Sequence, residues 1–475
     1  MRMALDQFMK SMKTTLAKCF FLAFVFSTPV MVNAQSSPAF PLKFSTNKRY
    51  LVDRNNQPFL IKEFSAWGAI QVLSEKDEAD FLDALKRKGF NAVMVSVLSN
   101  ATSQMAGNPP YWQGVSPLKV KWDFSTPNET YFQHVDRFFK MAEQRGFLAM
   151  AVPVYLGYPT IGSQGWWDEF KNPNNSIEKM RKFGEFLGER YKNTPNLMWV
   201  AGGDNDGKGE LYEYELNVIQ GIKAKDPDHY WTGHFDSNGG THWSTMNPLY
   251  ADYIDIDGFY IWSEAVLFEA GPQYVSELRQ YKKGKMIIQL DQSYEHDLPY
   301  YADNENYQWI RRKMYDGLLS GCKGTSFSSG TIENQCYTFK NWRPLMNTEG
   351  MNYVALCFKL FDSLPWHEFV PDESNEIILS GRGEFGSIDY VCAAQSPDKK
   401  YYVMYIPKGH TVILNVPKMS GKSMRMHWYS PRTGKSLRIG GSENKPRFGI
   451  TAPSEEDWVV VFDCDPNFKM PGLIK

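Results

Sequence analysis

The sequence predicts an α/β fold, a (β/α)8 TIM barrel followed by a small antiparallel β-sandwich domain, and three observations carry that prediction. From about Phe40 to Trp366, apolar strand-like runs alternate with amphipathic helical patterns, the order that a parallel sheet with crossover helices requires. Eight such runs fall within about 330 residues, which suits a barrel with long loops. After "DSLPWHEFVPDESN" (Asp362 to Asn375) the helical periodicity stops, and short alternating segments separated by turn residues take over.

Taken in order, the chain opens with Lys13 and Lys18, the apolar run Cys19 to Phe26, and Val32-Asn33-Ala34 before Gln35. That is the layout of a secretory signal peptide, so residues 1–34 are expected to be removed and the protein exported, to the periplasm or outside the cell. No later run is long and apolar enough to span a bilayer, and the mature protein is expected to be soluble. The first strand is "FLIKEFSAW" (Phe59 to Trp67). Ser74, Asp77 and Glu78 then start a helix whose apolar face carries Phe81, Leu82 and Leu85 before Gly89.

Strand two is "NAVMVSVLS" (Asn91 to Ser99), followed by a helix through Val135, Phe138, Phe139 and Ala142. "FLAMAVPVY" (Phe147 to Tyr155) is strand three, with a helix through Met180, Phe183, Phe186 and Leu187 after it. "NLMWVAGGD" (Asn196 to Asp204) is strand four, and a helix from Leu211 to Ile222 leads to "HYWTGHFDS" (His229 to Ser237), strand five. "YIDIDGFYIW" (Tyr253 to Trp262) and "KMIIQLDQSYE" (Lys285 to Glu295) are strands six and seven. A helix around Trp309 to Leu319 precedes strand eight, "GTSFSSG" (Gly324 to Gly330). The barrel is assigned to residues 35–368 and the sandwich to 376–466. A doubly wound sheet is the structural rival, but neither G-x-G-x-x-G nor G-x-x-x-x-G-K-[ST] follows the first strand.

Composition narrows the function. The 475 residues are 43% hydrophobic, enough for a large core, and the 52 basic and 53 acidic side chains leave no excess charge to attract nucleic acid or an anionic membrane. Aromatic residues reach 15%, with 14 Trp and 26 Tyr; flat amphipathic rings serve a core and also stack on sugars. Beyond Cys19, the cysteines Cys322, Cys336, Cys357, Cys392 and Cys464 are odd in number and lack paired metal spacing. Cys322 with Cys336 is the local candidate for a bridge, and buried free thiols are the alternative. The sequence sets no oligomeric state.

In such a barrel the reactive groups stand at the C-terminal ends of the strands. That rule selects Asp204 after strand four, Asp236 after strand five, Asp257 in strand six, and Asp291 with Glu295 after strand seven. Two carboxyl groups facing one another are what hydrolysis of a glycosidic bond needs, one to protonate the leaving oxygen and one to attack the sugar or activate water. Asp204 and Asp291 are the natural pair, and no cofactor is required. Gly202 and Gly203 let the backbone turn sharply and leave room beside the acid. As a rival, Asp204 is a simple cap. "DNDGKGE" (Asp204 to Glu210) fails the calcium-loop spacing because Gly207 comes too early. Without H-E-x-x-H or G-x-S-x-G, a catalytic metal or a nucleophile elbow is not indicated.

With "SAWGA", "FNAVMVSVL", "WVAGGDND", "TGH", "QSYE", "HWYSPRTGK" and "APSEEDWVVVFD", the chain resembles the apiosidase-like glycoside hydrolases over most of its mature length. These are secreted barrel enzymes that include those releasing apiose from pectic rhamnogalacturonan-II side chains. The resemblance implies Asp204 as the acid/base of a GGD motif. It puts Asp291 where the family usually has the Glu of E-P-x-Y-E, with Tyr294 and Glu295 matching the motif's end. An Asp is one methylene shorter, so Glu295 is the other candidate for the second carboxylate. "GTSFSSG" stands where the family tends to carry His and Tyr-Gly, and Phe64 where a polar residue is more usual; both positions are expected beside the sugar.

Trp67, Tyr155, Tyr260 and Trp262 end their strands and are expected as stacking faces, and His234 and Asp236 as partners of sugar hydroxyls, with Tyr294 and Glu295 beside them. For the aromatics, packing beneath a loop is the alternative. Trp166 and Trp167 in "QGWWDEF" either wall the cleft or pack on a neighbouring helix. The reading that follows is an exported hydrolase of a complex, plant or pectic, polysaccharide or oligosaccharide. The alternative is a catalytically impaired carbohydrate-binding protein on the same barrel.

Overall fold

A computed structural model of the chain describes residues 38–98, 114–157, 165–166, 169–207, 209, 211–235, 240–261, 272–291, 294–295, 307–329, 342–416, 420, 423–443 and 447–473. The expected signal peptide, Asp236, Trp262 and Trp167 lie outside them. Among the described residues no helix is long and apolar enough to cross a membrane.

The eight predicted runs contain the strands β1 (Ile61–Ser65), β2 (Ala92–Leu98), β3 (Leu148–Val154), β4 (Leu197–Gly202), β5 (Trp231–His234), β6 (Asp257–Phe259), β7 (Ile287–Gln289) and β8 (Gly324–Ser329). Six of them pair in parallel in the order β8–β1–β2–β3–β4–β5, with a two-residue strand, Tyr294–Glu295, added beyond β8. β6 and β7 form a separate parallel pair. Backbone bonds reach this pair from both edges of the sheet: Ile256 N–H donates to the Trp231 carbonyl at 3.0 Å, and Lys323 N–H to that of Ile287 at 2.8 Å.

Residues of β1 to β4 are buried on both faces, which explains why β2 to β4 are almost wholly apolar, whereas β1 carries the buried polar residues Lys62, Glu63 and Ser65. Their period of two sorts them. Met94, Met150, Met198 and Val200 gather with Ile288 and Leu290 on the concave side, whereas Val93, Val95, Ala149 and Trp199 face the helices. A curled sheet is what brings β2, β3 and β4 into one cluster with residues around β7.

The helices begin where capping chemistry puts them. Ser74 accepts from the Asp77 N–H before helix Glu75–Arg87, and Ser176 from that of Lys179 before Ile177–Tyr191. Phe81, Leu82, Val135, Phe138, Phe183 and Leu187 are buried against the sheet, each contributing about 1.5–3 kcal/mol by leaving water. The helices Gln273–Lys282 and Glu349–Asp362 were not singled out by periodicity. Nor was an antiparallel sheet of three two-residue strands, Lys43–Phe44, Leu51–Val52 and Pro58–Phe59. It takes Phe59 out of the predicted first strand and sends Leu51 and Phe59 into the concave cluster.

The C-terminal segment forms two antiparallel sheets. One holds Val370–Pro371, Cys392–Gln395, Tyr401–Ile406, Trp458–Asp463, Ser423–Tyr429 and Ser436–Glu443 in that order, and the other Ile378–Ser380, Thr411–Leu414 and Phe448–Thr451. Val412, Leu414 and Ile450 from the smaller sheet share a core with Tyr402, Met404 and Val460 from the larger. The opposite face of the larger sheet packs on helix Gln308–Leu319. Tyr405 stacks on Tyr315 with centroids 5.1 Å apart, and Arg311 grips Asp457 through two bonds of 2.7 and 2.9 Å. Fork geometry and complete burial make this pair costly to break from one side. Cys322, the candidate for a local bridge with Cys336, is a buried free thiol, as are Cys357 and Cys392; Cys336 lies outside the described residues.

Candidate active site

Where β4 ends, the chain runs through Gly202 (φ 88°), Gly203 (φ 103°) and Asp204 (φ 59°), three successive residues in left-handed conformations. A Cβ on Gly202 would lie 2.3 Å from the His234 carbonyl oxygen, and one on Gly203 2.6 Å from the Tyr155 ring. Both glycines are therefore required by close approach as well as by φ. Behind the turn, Glu215 of helix Leu211–Lys225 accepts the Gly202 N–H at 2.6 Å. Burial pushes that carboxyl up to about 7. In front, the Tyr155 hydroxyl donates to Asp204 Oδ2 at 2.5 Å.

Asp291 follows β7 and is also left-handed, at φ 45°, a conformation uncommon for a residue other than glycine. Its Oδ2 accepts from Trp67 Nε1 at 3.2 Å and lies 3.1 Å from His234 Nε2. At the end of β5, the imidazole Nδ1 lies 3.3 Å from the backbone nitrogen of Asp204, whose N–H it accepts. An Nδ1 that accepts leaves the proton on Nε2, so His234 donates to Asp291. The ring is fully buried, 5.0 Å from Trp67 edge-on and 3.7 Å from Tyr260 between centroids.

The two acids differ in exposure: the Asp204 side chain retains 13% of its surface and that of Asp291 2%. Asp204 is raised above the ordinary carboxylate range, first by burial, and the negative charge of Asp291 adds to this; His234 and the hydroxyls of Tyr155 and Tyr260 oppose it. Its Oδ1 is buried without a hydrogen-bond donor, which favours the protonated form.

A third carboxyl escaped the sequence reading. Glu63 of β1 is completely buried; one oxygen accepts from Ser65 Oγ at 3.0 Å, and the other has no donor. Burial, then the charge of Asp291, hold it well above the carboxylate range, partly offset by hydrogen bonds that include the Asp291 backbone N–H. Strand alternation could have found it, since Ile61, Glu63 and Ser65 share a face. The same alternation corrects the expectation for Phe64. Its side chain faces the helices, 5.5 Å from Phe81 and from Phe90, away from the carboxyl pair.

Glu295 is also turned elsewhere. Its carboxylate accepts the Gly350 N–H at 2.8 Å and the Thr348 hydroxyl, anchoring the start of helix Glu349–Asp362. These bonds hold it at the helix start, whereas Asp291 meets Asp204 through His234. Tyr294 pairs with Ser328 through its backbone. Trp67, Tyr155 and Tyr260 are buried around the two acids, and Trp166 packs edge-on against Trp122 and Phe124. Asp257, a candidate in β6, is tied to the Thr245 N–H at 2.9 Å and to Gln280.

Asp204, His234 and Asp291 could each offer one ligand atom to a cation, with those atoms within 4.8 Å of one another. As hydrogen-bonded, however, both imidazole nitrogens are engaged by the two aspartates. The arrangement is two carboxyl groups a few ångströms apart, one of them raised above the ordinary carboxylate range by burial and the other held by Trp67 and His234.

The family model of the apiosidase-like catalytic domain matches residues 45–368, well over half of the chain. The chain belongs to the apiosidase-like family. It is a glycoside hydrolase, and the matched region holds both Asp204 and Asp291. A second family model, that of a collagenase's proposed collagen-binding domain, matches residues 370–463. Among solved structures, one described as a glycoside hydrolase is 23% identical and superimposes with a TM-score of 0.74 over 91% of this chain and 100% of its own. A glycoside hydrolase family 5 protein from Bacteroides vulgatus is also 23% identical, with a TM-score of 0.72 over 89% of this chain and 93% of its own. A maltogenic alpha-amylase from Thermotoga neapolitana, 12% identical, gives 0.52 over 85% and 99%. These likenesses are of fold.

Proposed function

We propose that this apiosidase-like protein is an exported, retaining glycoside hydrolase that cleaves O-glycosidic bonds in a complex plant polysaccharide or oligosaccharide of pectic type. Asp204 is its general acid/base and Asp291 its nucleophile. One observation carries the reading: His234 joins the two aspartates, and the oxygens they offer lie within 4.8 Å. Oxygens this close favour the short separation of a retaining pair, about 5–5.5 Å, over the roughly 6.5–9.5 Å that leaves room for an inverting water.

In the first step an Asp291 oxygen attacks the anomeric carbon, the bond to the leaving oxygen breaks, and Asp204 gives that oxygen its proton. In the second, Asp204 takes a proton from water as the water oxygen attacks the anomeric carbon, and the Asp291 ester bond breaks. Trp67 and His234 donate to Asp291 Oδ2 and fix the orientation of the attacking carboxylate. Trp67, Tyr155 and Tyr260 pack around the two acids and hold them in place beneath the sugar.

The architecture behind this reading is a closed eight-stranded barrel over 35–368, completed by the β6–β7 pair, with a structural sandwich over 376–466. The bonds at Ile256 and Lys323 support the closure. The charged and apolar pattern of residues 1–34 supports export. The experiment is a screen of complex plant glycans with product identification and anomeric configuration by NMR, using Asp204→Asn as control. A product of retained configuration, absent from the control, is expected. Inversion would rule out the nucleophile role, and binding without turnover by the unaltered protein would favour a lectin-like function.

A further inference from the structure

At the end of the parallel strands opposite the carboxyl pair lies a cleft of about 420 Å³, within the size range of small-molecule sites. Lys323, which immediately precedes β8, stands in it with Arg49, Tyr50, Tyr281, His367 and Phe369. Lys323 is only 2% exposed, and its Nζ donates to the carbonyls of Trp366 and Phe369 at 3.1 and 3.0 Å. An ammonium has three donors, so one is left. Arg49 stacks on the Tyr281 ring at 3.9 Å and gives one bond, of 2.9 Å, to the Tyr281 carbonyl, out of five N–H groups.

Neither cation forms an ion pair with a carboxylate among the described residues. The two acids that also line the cleft have other neighbours: Asp398 pairs with Lys400 at 2.9 Å, and Glu368 lies 3.7 Å from His367 Nε2. A buried ammonium beside an unpaired guanidinium is costly without a counter-charge. Burial, and then the neighbouring charge of Arg49, press Lys323 down to about 7; burial and Lys323 together press His367 down to about 4. At neutral pH the cleft thus offers a guanidinium, a readily protonated amine and a neutral imidazole, walled by Tyr50, Tyr281 and Phe369. The group it lacks is an anion on a body flat enough to lie against aromatic rings.

We propose that this cleft is a second ligand site, separate from the carboxyl pair, that binds a small molecule through one oxyanion, a carboxylate or a phosphate, held by Arg49 and Lys323. Fork geometry at Arg49 and the spare ammonium donor suit either anion. The proposal does not depend on the carboxyl pair being catalytic.

The test is titration calorimetry of the full mature protein, at low salt and pH 6, with galacturonate, inorganic phosphate and uncharged galactose as probes. Galacturonate, phosphate or both should bind, with galactose at least tenfold weaker. Binding of galacturonate alone identifies a sugar acid as the source of the anion, and binding of phosphate alone a phosphorylated ligand. Arg49→Gln, at a half-buried position, should weaken the interaction at least tenfold, and Lys323→Met should do the same if it folds. Asp204→Asn should leave it unchanged. Absence of binding by both anions, equal binding of galactose, an unaltered affinity in Arg49→Gln, or loss of binding in Asp204→Asn would each overturn the proposal.

Discussion

His234 Nε2 lies 3.1 Å from Asp291 Oδ2, while Nδ1 of the same ring accepts the backbone N–H of Asp204 at 3.3 Å. One buried imidazole therefore fixes the orientation of one acid and the backbone of the other. Replacing it by Ala removes one donor from Asp291 and the acceptor of the Asp204 N–H, although the Gly203 N–H still bonds the residue-234 carbonyl. Misplacement of reacting groups by about 1 Å costs around a hundredfold in rate, so His234→Ala should lower kcat by about that factor, with a smaller change in KM. Steady-state kinetics checks this; an effect confined to KM would mean that the ring serves binding alone.

The Tyr155 hydroxyl favours the ionised form of Asp204. A general acid must be protonated to act, so activity falls as pH rises through the Asp204 pKa. Tyr155→Phe removes a bond to the charged form, raises that pKa, and should move the alkaline limb of the kcat/KM profile to higher pH. A shift to lower pH would contradict the assignment of Asp204 as the acid.

Burial and the charge of Asp291 hold Glu63 well above the carboxylate range in the folded protein, whereas the unfolded chain loses this proton above about pH 4.3. A raised folded pKa contributes stability that is complete below the unfolded pKa and is lost as pH rises toward the folded one. Glu63→Gln cannot ionise. Its stability should therefore gain on the unaltered protein by about 1.4 kcal/mol per pH unit from about pH 4.3 upward, as followed by urea unfolding. Glu78, Glu215 and Glu277, each raised to about 7, act with the same sign in both proteins and cancel. Parallel stability curves would show that Glu63 is ionised in the fold.

Local pattern made much of this legible. The runs holding β2 to β4 announced themselves because strands buried on both faces are apolar, and the Gly202-Gly203-Asp204 turn because only glycine tolerates that approach. Long-range facts were not legible. Glu295 is bound by Thr348 and Gly350, more than fifty residues away, and no local spacing encodes that contact. Glu63 and Phe64 are adjacent, and choosing which faced the carboxyl pair needed the strand register. The small sheet around Leu51 and Phe59 has strands of two residues, too short for any periodicity.

Gly203 tests the turn directly. An added Cβ meets the buried Tyr155 ring at 2.6 Å, at a φ of 103° that L-residues avoid. Gly203→Ala should destabilise the protein by about 1–3 kcal/mol, the usual cost of a residue forced into a sparse backbone region. It should also displace the Tyr155–Asp204 bond and lower kcat. Thermal unfolding and turnover measured together check this, and unchanged values for both would show that the approach is not constraining.

The central claim is that Asp204 and Asp291 form the reacting pair, and initial rates of Asp204→Asn and Asp291→Asn on a glycan cleaved by the unaltered protein test it most directly. Both variants should remain folded and lose at least about a hundredfold in rate, the lower bound for removing a positioned acid or base. Turnover by a folded Asp291→Asn protein at the unaltered rate would contradict the account.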